Sequence, residues 1–231
     1  MDDKPHNEAS NALLNRLRAA VLGANDGIVS TSAVVMGVAG ATSDNSAIAT
    51  AGFAALVAGA LSMAVGEYVS VSSQSDTEKA FIAREKKLLR KNPEAEKHQL
   101  AAYYESLGVT PATAKKVSQD LTESNALQAH LQMHFGIDED DLNSPSQAAV
   151  ASLLAFTAGG LVPFLAVLFA PDNAKLQATF AAVLIALVAT GYFSAKVGNA
   201  NKTRAILRVV IGGALAMLFT YGIGSLFGAN F

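Results

Sequence analysis

The amino-acid sequence predicts an all-α membrane protein with five transmembrane helices and a helical cytoplasmic domain inserted between the second and third. Composition is the first indication, because 51% of the 231 residues are hydrophobic and only 16% are charged, whereas soluble domains carry about 25% charged residues. The distribution of charge is the second. Twelve of the 19 acidic and nine of the 17 basic residues lie between Asp76 and Asp141, so the rest of the chain is far more apolar than its average.

Five apolar stretches are long enough to cross a hydrocarbon layer of about 30 Å, which takes about 20 helical residues. They cover residues 19–41, 47–71, 148–170, 176–195 and 209–228. Any one of them could be a buried helix of a soluble protein, but five leave too little polar sequence to cover such a core. Short polar turns at 42–46 and 171–175 pair the first four spans into two antiparallel hairpins.

These spans and the polar segment between them divide the chain into three predicted regions. Residues 1–75 hold an N-terminal tail and spans one and two, residues 76–146 form a cytoplasmic helical metal-binding domain, and residues 147–231 hold spans three to five. Lys and Arg in short flanks face the cytoplasm, so the N-terminus and the middle domain are predicted there and the C-terminus outside. The basic residues of the flanks predicted to be cytoplasmic are Lys4, Arg16, Arg18, Lys196, Lys202, Arg204 and Arg208.

Two acidic side chains lie inside the apolar stretches, Asp26 in the first and Glu67 in the second. Each costs about 2.5–3.5 kcal/mol at the membrane centre, so neither is expected to face lipid without a function. The alternative is an acid that reaches interfacial water near a helix end, which suits Glu67 better than Asp26. Met63 lies four residues before Glu67, so a helix places its thioether and the carboxylate on one face. Two carboxylates and a thioether favour a borderline-soft divalent ion over Mg²⁺ or Ca²⁺.

The polar middle segment is predicted to be helical. Residues 76–91 continue the second span, residues 93–107 form a helix that stops at Gly108, and two further helices cover residues 111–121 and 123–135. Because the chain has no cysteine, a metal there has to bind carboxylate, imidazole, thioether or backbone oxygen. The candidate ligands are Glu85, Glu94, Glu96, His98, His130, Met133 and His134. A solvated charged face is the alternative interpretation.

Four stretches resemble the vacuolar iron transporter family of ferrous or manganous ion carriers found in plants, fungi and bacteria. They are residues 23–27 (GANDG), 58–70 (AGALSMAVGEYVS), 72–80 (SSQSDTEKA) and 212–217 (GGALAM). The resemblance covers almost the whole chain after the first 15 residues. It implies a five-span homodimer with the ion path at the dimer interface, a helical cytoplasmic metal-binding domain, and exchange of metal for protons.

The resemblance also assigns residues. The family's pathway aspartate and methionine fall on Asp26 and Met63, and Glu67 matches the form common among bacterial members. Two of the glutamates through which the family's cytoplasmic domain binds metal fall on Glu85 and Glu96. Where related sequences carry further glutamates, this chain departs, with Leu88, Gln99 and His134 at those positions. Either imidazole, with His130 and Met133 nearby, rebuilds the site and shifts its preference toward later transition metals, or the capacity of the site is reduced.

The sequence therefore predicts a transporter and not an enzyme. The predicted transporter exports a divalent metal ion in exchange for protons, with Fe²⁺ as the preferred substrate and Mn²⁺ as the next candidate. Zn²⁺ and Co²⁺ remain alternative substrates, and no permanently bound cofactor and no nucleic-acid partner are expected. The predicted partners are the metal ions, protons, the lipid bilayer and a second copy of the chain, in a bacterial inner membrane. A membrane-anchored metal sensor or scaffold is the alternative function. An intramembrane enzyme has little support, because the sequence holds no serine–histidine, cysteine or HExxH arrangement.

Overall fold

The structure, a computed structural model, describes residues 11–139 and 144–229. Within these ranges the chain forms α-helices, one short 3-10 helix at Asp172–Ala174 and no β-strand. The helices are α1 (Asn11–Ala41), α2 (Asn45–Lys91), α3 (Pro93–Ser106), α4 (Pro111–Phe135), α5 (Pro145–Phe169), α6 (Lys175–Val197) and α7 (Lys202–Gly228). Five of them, α1, α2, α5, α6 and α7, are long and apolar enough to cross a membrane. The prediction of an all-α protein with five helices able to span a membrane is confirmed.

The turn between α1 and α2 is three residues long and ends in a helix cap. Asp44 Oδ1 accepts hydrogen bonds from the backbone N–H of Ser46 at 2.8 Å and from its hydroxyl at 2.9 Å. A carboxylate in this place satisfies backbone donors that the first turn of a helix leaves unpaired. The helix α2 that follows has 47 residues, so the predicted continuation of the second span as a helix is confirmed.

The chain divides into two compact units, which are described separately. One contains the segment Ser70–Pro145, and the other contains the segments Leu13–Val69 and Ser146–Phe231. The first unit therefore holds α3, α4 and the C-terminal part of α2. The second holds α1, the N-terminal part of α2, and α5 to α7.

Close contact between α1 and α5 is possible because glycines stand where the two helices meet. A Cβ atom at Gly27 would collide with the backbone carbonyl of Phe156, and one at Gly159 would collide with the carbonyl of Ala24. Helices in a membrane approach this closely only where side chains are small. Gly27, which follows Asp26 in the sequence, and Gly159 of α5 therefore allow α5 to lie against the part of α1 that carries this acid.

Apolar side chains fill the interior of the five-helix unit and also cover much of its outside. Ile28, Leu187 and Met217 are buried together where α1, α6 and α7 meet. Outward-facing side chains include Ile185, which is 71% exposed, and Phe219, which is 70% exposed. Helices with apolar residues on both their inner and outer faces are expected where the surrounding solvent is lipid.

In the other unit, a glycine ends α3 and a proline begins α4, as the sequence predicted. Gly108, at φ 93°, follows α3, and Pro111 stands in the first turn of α4. The predicted pair of helices over 111–121 and 123–135 is wrong in its boundary. The structure has one element, Pro111–Phe135, with a break at Asn125, whose φ is −157°. The Asn125 side chain accepts a hydrogen bond from the backbone N–H of Gln128, so it acts as an internal N-cap at that break.

Candidate metal sites

A cluster of carboxylates and imidazoles lies where α2, α3 and α4 meet. Glu85 comes from α2, Glu96 from α3, and His130 and His134 from α4, and each offers a ligand atom within 4.8 Å of the others. Nδ1 of His130 is 3.2 Å from Oε1 of Glu85 and 3.7 Å from Oε2 of Glu96. This spacing leaves room for one divalent ion bound by oxygen and nitrogen, the ligand types that Fe, Mn and Zn accept.

Local structure explains how these four side chains reach one another. Asn92 separates α2 from α3, and Pro93 begins α3, because proline is tolerated in the first turn of a helix but not in its interior. His130 and His134 are four residues apart, so they share one face of α4. Phe81 and Phe135 stack with ring centroids 4.3 Å apart, and the Ser118 hydroxyl donates a 2.6 Å hydrogen bond to the Lys97 carbonyl. These contacts hold α4 against α2 and against α3.

Burial makes this cluster unusual among charged groups. Glu85 is 2% exposed, Glu96 8% and His130 0%, whereas His134 lies at the surface. Oε1 of Glu85, Oε2 of Glu96 and both ring nitrogens of His130 are buried and form no hydrogen bond of acceptable geometry with any described residue, although Nδ1 of His130 is only 3.2 Å from Oε1 of Glu85. Buried polar atoms without partners are rare and costly. A bound divalent cation would satisfy the two carboxylate oxygens and one of the imidazole nitrogens and would balance the two negative charges, so the residues present fit a metal ion.

The protonation of His130 also suits metal binding. Burial lowers the pKa of the His130 imidazole below its ordinary value, and nearby His134 acts in the same direction, while the carboxylates of Glu85 and Glu96 raise it by a smaller amount. The net effect favours the neutral imidazole, which is the form that binds metal.

Other residues predicted as ligands lie outside this cluster. Glu94 and His98 have exposed side chains, as has Gln99, while Leu88 is half-buried. Met133 lines a cavity of about 480 Å³ between α3 and α4, together with Tyr103 and other residues. The structure therefore brings both predicted glutamates and both predicted histidines of α4 together, and it places Met133 on a neighbouring cavity.

A second site lies between the first two membrane-spanning helices. Asp26 of α1 and Met63 and Glu67 of α2 line one cavity of about 420 Å³. Phe156, from α5, also lines the cavity and belongs to the buried cluster of Leu56, Ala60 and Phe156 against which Met63 packs. Carboxylate oxygen and thioether sulfur are thus available in one open cavity between α1 and α2, and together they suit a borderline-soft divalent ion.

The two acids of this cavity have different surroundings. Oε1 of Glu67 is 3.8 Å from a guanidinium nitrogen of Arg18, whose side chain is 61% exposed. No salt bridge to Asp26 is found in the part of the chain that the structure describes. Glu67 therefore lies near the charged end of α1, and Asp26 is the acid that has no basic partner among the described residues.

Sequence reasoning missed three residues of this site. Ser30 and Ser62 line the same cavity and add hydroxyl oxygens to it. Ser30 is four residues after Asp26, so helical spacing places both on one face of α1 and was a usable signal for Ser30. Ser62 directly precedes Met63, and this spacing gives no such signal. The pairing of Arg18 with Glu67 had no such signal, because 49 residues separate the two in the chain.

Five apolar helices, a cavity with two carboxylates between the first two of them, and a separate buried cluster of carboxylates and imidazoles define a multi-pass membrane protein with two candidate sites for divalent metal ions. Comparison with known proteins agrees with this class. Residues 17–225 match the VIT family, and the chain belongs to that family.

Named relatives are similar over most of this chain. It is 41% identical to "Vacuolar iron transporter" of Acanthamoeba castellanii over 211 residues, which cover 91% of this chain and 78% of the relative. It is 39% identical to "Vacuolar iron transporter homolog 1" of Arabidopsis thaliana over 215 residues, covering 93% and 84%. It is 38% identical to "Vacuolar iron transporter homolog 1" of Oryza sativa subsp. japonica, with 93% and 75% covered.

Proposed function

We propose that this protein transports a divalent metal ion out of the cytoplasm in exchange for protons, with Fe²⁺ as the preferred substrate and Mn²⁺ as the next candidate. The observation that carries the proposal is the cavity between two membrane-spanning helices that Asp26, Met63 and Glu67 line together. Relatives named as iron transporters support the choice of iron. A protein that only anchors a soluble domain has no need of two acids there, each of which costs free energy in a membrane.

The chemistry of the cavity supports coupling of metal to protons. Two carboxylates balance the charge of a divalent ion, which otherwise pays a large desolvation cost inside a bilayer. When the ion leaves, the same oxygens can accept protons, so the cavity never holds two unpaired negative charges. The Met63 thioether adds a soft ligand and so favours Fe²⁺ over the harder Mn²⁺.

We propose that residues 76–146 form a cytoplasmic domain that binds the transported ion at Glu85, Glu96, His130 and His134. The buried atoms of this cluster that lack hydrogen-bond partners support such binding. The distribution of Lys and Arg supports a cytoplasmic N-terminus and middle domain and an external C-terminus. We further propose a homodimer, and a bacterial inner membrane, for which the bacterial form of the motif at Glu67 is the support.

Uptake into proteoliposomes tests the proposed function directly. Purified protein would be reconstituted, a pH gradient imposed, and uptake of Fe²⁺, Mn²⁺, Zn²⁺ and Co²⁺ compared with that of empty liposomes. We expect uptake driven by the gradient, alkalinisation of the liposome interior as protons leave in exchange for the entering metal, and the highest rate with Fe²⁺. Uptake that is independent of the gradient would contradict exchange for protons, and no uptake of any ion would contradict transport.

A membrane-anchored metal sensor or scaffold is the second candidate function. The observation that favours it is the complete ligand cluster in a unit separate from the five-helix unit. A sensor would bind metal through Glu85 and Glu96 but would not move it across a bilayer. Metal binding by the solubilised protein together with absent uptake in proteoliposomes would favour the sensor.

A further inference from the structure

A second cavity in the five-helix unit carries basic and not acidic groups. It has a volume of about 430 Å³ and lies between α1, α6 and α7. Two arginines line it, Arg18 from α1 and Arg208 from α7, and none of the described residues that line it is acidic. Apolar side chains, among them Val21, Leu22 and Val209, form much of the remaining wall.

The position of this cavity along the helices is that of a membrane interface. Its lining includes Arg18, which directly precedes the first apolar stretch at residues 19–41, and Val197, at which the fourth candidate span ends, while the fifth begins at Lys202 close by in the chain. Three spans thus change from apolar to charged sequence at the same end of the bundle. Phospholipid headgroups lie at that level of a bilayer.

The charges of the cavity are available to a ligand. Arg208 has an exposed side chain and forms no salt bridge within the described ranges 11–139 and 144–229. Arg18 pairs with Glu67 at 3.8 Å, and its side chain is 61% exposed, so this pair is weak. Guanidinium groups bind phosphate oxygens through paired hydrogen bonds.

A polar atom in the same wall lacks a partner. Oδ1 of Asn25 is buried and accepts no hydrogen bond from any described residue, and Asn25 lines the cavity. Asn25 follows Arg18 and Leu22 on one helical face, two turns and one turn away. An acceptor buried without a donor is costly. A side-chain rotation that turns this oxygen into the cavity would let a ligand with a hydroxyl group beside its phosphate supply the donor.

We propose that this cavity binds the headgroup of an anionic phospholipid, with its phosphate at Arg18 and Arg208 and a headgroup hydroxyl at Asn25. Basic pockets between membrane helices recognise anionic headgroups in this way. The apolar wall and the position at the span ends favour a lipid over free phosphate, because acyl chains can lie against Leu22, which is 49% exposed. The proposal does not depend on metal transport.

Lipid binding to the solubilised full-length protein tests the proposal. Short-chain phosphatidylglycerol would be titrated into delipidated wild type, Arg208→Gln and Arg204→Gln, and bound lipid counted by native mass spectrometry. Arg204 is exposed on the same helix and does not line the cavity, so it is the matched control. We expect affinity at least about fivefold weaker for Arg208→Gln and unchanged for Arg204→Gln. Helix content by circular dichroism confirms that both variants fold.

Two outcomes of this titration and three further measurements can contradict the proposal. Equal affinity of wild type and Arg208→Gln would exclude the cavity, and equal losses in both arginine variants would show a diffuse basic surface. Displacement of the lipid by inorganic phosphate at similar concentration would show a free-anion site. Equal binding of short-chain phosphatidylcholine would remove the anionic preference. Asn25→Ala should reduce the preference for phosphatidylglycerol over phosphatidic acid, which has no headgroup hydroxyl, and an unchanged preference would refute the role of Asn25.

Discussion

At the scale of single residues, Asp26 and Glu67 are chemically alike but differently placed. Glu67 lies beside the Arg18 guanidinium, so a basic group shares its charge. Asp26 lines the same cavity and has no such neighbour among the described residues, so its carboxylate is free to bind either a metal ion or a proton. We therefore expect Asp26 to be the principal charged ligand and proton carrier of the proposed transport.

Asp26→Asn tests that role. The amide keeps the size and hydrogen bonding of the carboxyl group and is no harder to bury, so folding and membrane insertion should be nearly unchanged. Uptake of Fe²⁺ driven by a pH gradient should be abolished, because the amide does not titrate. Asp44→Asn is the matched control, since asparagine can also cap α2 at this exposed turn, and its uptake should match wild type. Normal iron uptake by Asp26→Asn would contradict the proposed coupling.

Met63→Leu removes the thioether from the cavity and little else. Leucine has a similar volume, so the packing against Phe156 should be retained at a cost below about 1.5 kcal/mol. Because thioether sulfur favours softer ions, uptake of Fe²⁺ should fall more than uptake of Mn²⁺. Met36→Leu, at a buried packing position of α1, serves as the control and should leave the ratio of the two uptake rates unchanged. An unchanged ratio in Met63→Leu would mean that Met63 only packs.

Glu96→Gln tests the cluster at the meeting point of the three helices. It removes one negative ligand from a buried site, and even outer-shell partners of metal ligands are worth about 10–100-fold in affinity. We expect the affinity of the solubilised full-length protein for Fe²⁺ or Mn²⁺, measured by calorimetry, to fall at least about tenfold. Glu94→Gln changes an exposed acid of the same helix and should bind like wild type. Similar affinity in both variants would place the bound metal elsewhere.

The pH dependence of binding reports on His130. Protons compete with metal for the imidazole, and burial holds the pKa of His130 below its ordinary value of 6.5. In a His134→Gln variant, where His130 is the remaining imidazole of the cluster, affinity should therefore stay constant from about pH 7.5 to 6.5 and fall only at lower pH. Calorimetric titrations at successive pH values measure this. A loss of affinity that begins above about pH 7 would contradict a lowered pKa.

At the scale of helical elements, the α1–α5 contact depends on the absence of a side chain at Gly27. Gly27→Ala places a Cβ against the Phe156 carbonyl, so the helices must separate, at a cost of about 1–3 kcal/mol. Gly212→Ala, on α7, meets no atom within 4 Å and is the matched control. We expect the thermal midpoint of the solubilised protein to fall for Gly27→Ala and to stay level or rise for Gly212→Ala. Equal midpoints would show that α5 adjusts without loss.

At the scale of the whole molecule, five membrane-spanning helices require the two ends of the chain to lie on opposite sides of the bilayer. The basic flanks predict that the α3–α4 segment is cytoplasmic and the C-terminus external. Reporter fusions after Ser106 and after Phe231 measure this in cells. We expect the first fusion to be active with a cytoplasmic reporter only, and the second with an external reporter only. Reporters on the same side would mean that one of the five helices does not cross the membrane.

The sequence by itself determined where the helices lie in the chain and which of them are apolar enough to be surrounded by lipid. Apolar runs of about 20 residues are local properties of a chain, so the pattern of residues alone locates the five spans, and the acids Asp26 and Glu67 stand out within them. Turn signals such as Asn92-Pro93 and Gly108 are also local properties of the sequence, so they mark the ends of helices without knowledge of the fold. The break in α4 was misplaced because Asn125 caps through its own side chain, and a single asparagine is a weak signal.

Only the tertiary structure decided which residues meet. Glu85 and His130 are 45 residues apart, and their approach to 3.2 Å depends on how α2 and α4 pack, which no local pattern specifies. The same holds for the pairing of Glu67 with Arg18, and for the basic cavity that Arg18 and Arg208 line from opposite ends of the chain. Periodicity fixes the face of one helix on which a residue lies, whereas a site between helices also requires their rotation and separation, which follow from side-chain packing throughout the unit.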